Sequence, residues 1–122
     1  MKLQRLSKTF SVCKLSDISG IPWQDEHCFV SKTDEELSLV CETEHIPATA
    51  LAREDGWRGF RIEGMLDFSM VGVLARIASL LAEHEISIFA VSTYNTDYIF
   101  TKAESFDPAL ALMQQAGFTV TE

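Results

Sequence analysis

The stretch that most constrains this chain runs from Phe60 to Asp97, FRIEGMLDFSMVGVLARIASLLAEHEISIFAVSTYNTD. An apolar run enters a polar turn, passes into a segment with helical periodicity, and returns as a second apolar run. That run stops at a cluster of small polar groups. Residues 60–65 read as a strand. Asp67 or Ser69 can cap the helix that follows. Val71, Leu74, Ile77, Ala78 and Leu81 share one helical face, with Arg76, Ser79 and Glu83 on the other, which predicts a helix over 73–84. Residues 86–93 read as a strand, apolar on both faces as a central strand is. Tyr94-Asn95-Thr96 makes a turn, and 97–102 returns as a strand. Asp107 before Pro108 is a cap-and-N1 pair, so a helix is expected over 108–116, ending at Gly117. Residues 118–121 form the last strand.

The order is β-α-β-β-α-β, the split ferredoxin-like pattern, with its four strands in one antiparallel sheet. The first half is less regular. Residues 9–15 alternate well enough for a strand. Gly20 and Pro22 then break the pattern into a loop, in which Trp23 reads as a core plug. Residues 28–32 and 37–43 pair as a hairpin around Thr33-Asp34-Glu35-Glu36. Pro47 and Gly56 bracket PATALARED, room for one or two helical turns, and Gly56-Trp57-Arg58-Gly59 separates the halves. The expectation is an α+β chain of two ferredoxin-like units, a degenerate copy over 1–58 and a regular one over 59–122.

At 122 residues and 47% hydrophobic composition the chain can bury a core. No stretch is apolar for long enough to span a bilayer, and MKLQRLSKTF lacks a signal-peptide core, so a cytoplasmic protein is expected. The net charge of -8, with no basic cluster, argues against nucleic acid and anionic membranes as partners. Cys13, Cys28 and Cys41 have no C-x-x-C spacing and read as reduced thiols. A Cys28–His27–His45 metal site lacks a recognised ligand spacing. No hydrolase, zinc-protease or P-loop motif appears, and Asp67 with Asp97 has neither nucleophile nor metal. No enzyme activity, cofactor or metal is expected.

Two segments carry chemistry. The turn Asp67-Phe68-Ser69-Met70-Val71-Gly72 precedes a helix, whose unpaired N–H groups can bind a carboxylate; Gly72 permits close approach. The cluster Ser92-Thr93-Tyr94-Asn95-Thr96-Asp97 offers hydroxyls and a carboxylate to an ammonium or guanidinium group. Taken singly, each reads as an ordinary connection. Taken together, they complement the two ends of an amino acid. Asp97 is the prime candidate, because a carboxylate is disfavoured at the start of a strand.

Leu66-Asp67-Phe68-Ser69-Met70-Val71-Gly72-Val73-Leu74 and the longer Ile86 to Tyr98 motif resemble an ACT domain, the regulatory amino-acid-binding module. The likeness is to the subfamily of CASTOR-type arginine sensors and small bacterial ACT proteins; FSVCKL, FVSKT and ELSLVCE resemble the first half of the latter. The resemblance implies two ACT-like units and ligand contacts from Met70 and Val73 at the turn and from Thr93, Tyr94 and Asp97 at the cluster. The site it outlines spans Asp67, Phe68, Ser69, Met70, Val71, Gly72, Val73, Thr93, Tyr94, Asn95 and Asp97. Met70 supplies no acidic partner for a guanidinium, which argues against arginine and leaves open another amino acid. The resemblance also implies a homodimer, and a sensor without an output domain acts through a target protein. An oligomerisation scaffold with a vestigial pocket would leave the same sequence.

Overall fold

The computed structural model describes residues 1–63 and 72–122. They form two units, Lys8–Trp57 and Arg58–Glu122 joined by Met1–Ser7. The first seven residues thus belong with the carboxy-terminal half.

In Lys8–Trp57 the strands β2 (Phe10–Leu15), β3 (Phe29–Lys32), β4 (Leu37–Glu42) and the first part of β5 (Ala50–Ile62) run in the order β3-β4-β2-β5. All the pairings are antiparallel. The expected hairpin is present, and Thr33 closes it: its N–H donates to Glu36 O at 2.9 Å and its hydroxyl accepts from the amides of Glu35 and Glu36. Alternate residues Cys13, Leu15, Leu39 and Cys41 bury one face together with Ile21.

The sequence misleads at two places here. ALARED is not helical but opens β5, which runs unbroken from Ala50 to Ile62. Pairing with β2 satisfies its backbone and overrides the helix propensity of Ala, Leu and Arg. The register slips beside Ser11, where Gly56 takes φ +87°, so this glycine makes a bulge next to the division between the units at Trp57 and Arg58. The Ser11 hydroxyl, fully buried, meets Asp55 at 2.7 Å and Thr43 at 2.9 Å. Trp23 is not a core plug: it is 66% exposed, while Ile21 is 6% exposed and fills the core. The tight Trp23 N–H to Ile21 O bond reverses the chain between them.

In the other unit β1 (Lys2–Arg5), the end of β5, α1 (Val73–Glu83), β6 (Ile88–Ser92), β7 (Asp97–Lys102), α2 (Ala103–Gln115) and β8 (Thr119–Thr121) give the strand order β6-β7-β5-β1-β8. Ile77 and Leu81 of α1 and Phe106, Ala109, Leu110 and Met113 of α2 pack on Leu3, Phe60, Ile62 and Ile99. The last strand does not join an all-antiparallel sheet. The short β1 lies between β5 and β8, antiparallel to the first and parallel to the second. β6 is not central: among the described residues it pairs with β7 alone, and Ala90 and Ser92 are exposed. α2 begins five residues before Pro108, which sits inside it. An earlier start puts the fully buried Phe106 at helical spacing with Ala109, Leu110 and Met113, outweighing one lost backbone bond near the helix start.

Phe100 stacks on its cross-strand partner Phe89 at 4.8 Å and covers Gly59, where a Cβ would lie 2.7 Å from the ring. Both helices end in a Schellman pattern. Phe118 N–H donates to Met113 O with Gly117 at φ +100°; Ile86 N–H donates to Leu81 O with Glu85 at φ +59°.

Candidate functional site

Five of the sequence-derived site residues, Asp67, Phe68, Ser69, Met70 and Val71, lie outside the described residues. Gly72 caps α1 with φ +88°, and Val73 begins the helix. The first intrahelical bond runs from Arg76 N–H to Gly72 O at 2.8 Å, so the amides before Arg76 face outward from the helix end. A cavity of ≈ 270 Å³ opens there, lined by Met1, Gly72, Val73, Arg76 and Phe118. Arg76 donates to Ala116 O at 2.7 Å, and its guanidinium lies 4.7 Å from the centre of the Phe118 ring. It is the one cationic side chain among the described residues of that wall.

Thr93, Tyr94 and Asn95 form the turn between β6 and β7, and Asp97 is the first residue of β7. Tyr94 is 79% exposed. The Thr93 amide and hydroxyl both donate to Thr96 O, at 2.9 and 3.0 Å. The Ser92 hydroxyl donates to Asp97 at 2.5 Å across the hairpin. Thr96, 7% exposed, donates its hydroxyl to Ile62 O at 2.8 Å. This bond ties the polar turn to the end of β5. On the other side of that end, Glu63 N–H donates to Lys2 O. The polar turn and the α1 cavity therefore flank one end of the sheet, but Thr93, Tyr94, Asn95 and Asp97 do not line the cavity wall that the described residues form.

Met1, Arg76 and Phe118 line the cavity without having been singled out from the sequence. Arg76 falls on the polar side of the helical wheel, and only the position of β8 and its entry residue Phe118 reveals the second role. In the other unit, one group of three metal-ligating side chains converges among the described residues: Asp25, Glu42 and His45. His45 does not join Cys28 and His27 in such a group. The His27 ring lies instead between Phe10 and Phe29, 6.4 and 6.5 Å from their centres. The hydrogen bond that the His45 imidazole donates to Asp25 holds it above its ordinary pKa. Burial pushes the Cys41 thiol up to about 12 and raises Cys13 and Cys28 as well.

A family model described as ACT domain matches residues 52–115. The chain belongs to the ACT-domain family. A second family model, of an N-terminal domain, matches residues 8–49. Among solved structures, a protein of Agobacterium tumefaciens is similar at 28% identity and TM-score 0.84, covering 98% of this chain and 90% of its own. A Vibrio cholerae protein of unknown function, called a possible transport protein, aligns at 23% identity and TM-score 0.77 over 92% of this chain and 86% of its own. The ligand-free regulatory subunit of aspartate kinase from Thermus thermophilus shares the fold at 12% identity and TM-score 0.67, over 96% and 97% of the two chains. No curated protein matches. The ACT domain is a regulatory, non-catalytic ligand-binding module, and the chain is of that general kind. No described helix is long and apolar enough to cross a membrane.

Proposed function

We propose that this ACT protein is a non-catalytic cytoplasmic sensor that binds an amino acid at the start of α1 and relays occupancy to another chain. One observation carries the reading: the ≈ 270 Å³ cavity whose wall joins the first residues of α1 to the Arg76 guanidinium. Outward-facing amides, a positive helix end and a guanidinium all favour a carboxylate. The ammonium then faces Asp97 and the hydroxyls of the polar turn. The Thr96–Ile62 bond supports this arrangement by holding the polar turn at the same end of the sheet. The chain acts as a homodimer through a target protein.

A scaffold with a vestigial pocket is the second reading. It is favoured by the internal satisfaction of the polar turn, where Ser92 already occupies an Asp97 oxygen. A thermal-shift screen against the twenty amino acids separates the two, because a ligand that binds only the folded state raises Tm. Calorimetry then compares wild type, Arg76→Gln and Asp97→Asn with the best ligand. Loss of about tenfold or more in affinity in each variant is expected, as when one partner of a charged hydrogen bond is removed. No stabilising amino acid, or equal affinities, would overturn the reading.

A further inference from the structure

We propose that Asp25, Glu42 and His45 form a binding site for a divalent transition-metal ion of the zinc class. The three residues come from separate segments of one unit: the loop before β3, the last residue of β4 and the 3-10 turn Thr43–His45. Their ligand atoms lie within 4.8 Å of one another. His45 Nδ1 is 2.7 Å from Asp25 Oδ2 and 3.8 Å from Glu42 Oε1.

The burial of these groups sets the problem that an ion solves. The Asp25 and Glu42 side chains are only 8% and 12% exposed, whereas His45 is 46% exposed. Two carboxylates withdrawn from water thus share one imidazole, which supplies at most one positive charge. Glu44 adds further negative potential at the same ring. A divalent cation balances the pair.

The distances suit such an ion. Zinc bonds nitrogen and carboxylate oxygen at about 2.1 Å. Tetrahedral ligand atoms are then about 3.4 Å apart. The two separations from His45 straddle that value, so binding draws Asp25 back by about 0.7 Å and Glu42 in by about 0.4 Å. The exposed side of His45 leaves the fourth position to water. An imidazole with two carboxylates selects zinc-class ions over calcium and magnesium, which prefer oxygen donors alone. The metal takes the Nδ1 position that now faces Asp25, and the imidazole proton then sits on Nε2.

The test is calorimetric titration of the chelator-treated full chain with zinc chloride. One ion per chain is expected. Asp25→Asn and His45→Gln are each expected to weaken binding at least tenfold. With cobalt(II) the site is expected to give the visible bands of a tetrahedral ion without a thiolate charge-transfer band. No binding by wild type would show a structural ion pair only and overturn the proposal. So would unchanged affinity in both variants, or a thiolate band, which would place the ion on the cysteines. If circular dichroism shows a variant unfolded, the imidazole resonances of wild-type His45 decide. They are expected to shift on zinc addition and to saturate at one equivalent; resonances that stay put overturn the site.

Discussion

Glu85 and Gly117 occupy the same position in two helix ends, and this permits a paired experiment. Both are left-handed, at φ +59° and +100°, and both precede an amide that closes the Schellman pattern. A side chain in this conformation costs about 1–2 kcal/mol from its Cβ. A glycine instead raises the entropy of the unfolded chain by roughly 0.5–1 kcal/mol. Glu85→Gly should therefore stabilise the ACT unit by about 0.5–1 kcal/mol. Unfolding entropy of about 2.1 cal/mol/K per residue converts this, for 122 residues, into a Tm rise of about 2–4 °C. Removing a negative charge from a helix C-terminus also helps, by about 0.3–1 kcal/mol. Glu85→Gln carries the charge effect alone and serves as the control. Gly117→Ala should move Tm down by a similar amount. Urea and thermal denaturation followed by circular dichroism read all three. Glu85→Gly no more stable than Glu85→Gln would refute the backbone argument.

Four further outcomes are expected. Gly59→Ala should cost about 1–3 kcal/mol in urea melts through collision with the buried Phe100 ring, and far less in a Phe100→Leu background. Thr96→Val should cost about 1–3 kcal/mol by leaving Ile62 O without its partner, and should speed amide exchange in the β6–β7 turn. Ellman's reagent at about pH 8 should titrate the half-buried Cys28 first and reach Cys13 and Cys41 only on unfolding, since the thiolate is the nucleophile. The folded pKa of His45 lies above its unfolded value, so the metal-free ion pair stabilises fully below about pH 6.5 and the effect fades as pH rises through the folded pKa. The stability difference between wild type and His45→Gln should follow that course, and an NMR titration of Asp25→Asn should return the imidazole toward its ordinary pKa.

Local signals in the sequence were read correctly where they were dense. The 29–42 hairpin declared itself by two alternating runs around a polar turn, α1 by its apolar stripe, and the end of α2 by Gly117. The failures lie where a distant partner decides. ALARED has helix-forming residues, but β2 offers it a ladder. Pro108 looked like a helix start because its cost near the first turn is small, while the benefit of burying Phe106 is large. β1 has four residues and a single fully buried side chain, Leu3, too few for alternation to show. The β6–β7 turn was legible as polar, but not that Thr96 rather than Asp97 holds it to β5. Asp25 and His45 lie twenty residues apart, with no spacing that links them in advance.

The position of β1 has a consequence for how the polypeptide is assembled. Leu3 pairs with both Ile62 and Val120, so β1 is made long before the two strands that flank it. Lys8–Trp57, by contrast, can complete its ladders once Trp57 has emerged. Topologically it is a guest inserted into a host whose two severed ends are already antiparallel neighbours, as the Leu6 N–H to Gly59 O bond at 2.9 Å records. Excising the guest and joining those ends through a two-residue Asn-Gly hairpin should leave a host that folds faster, the closure of β1 on β5 having become local.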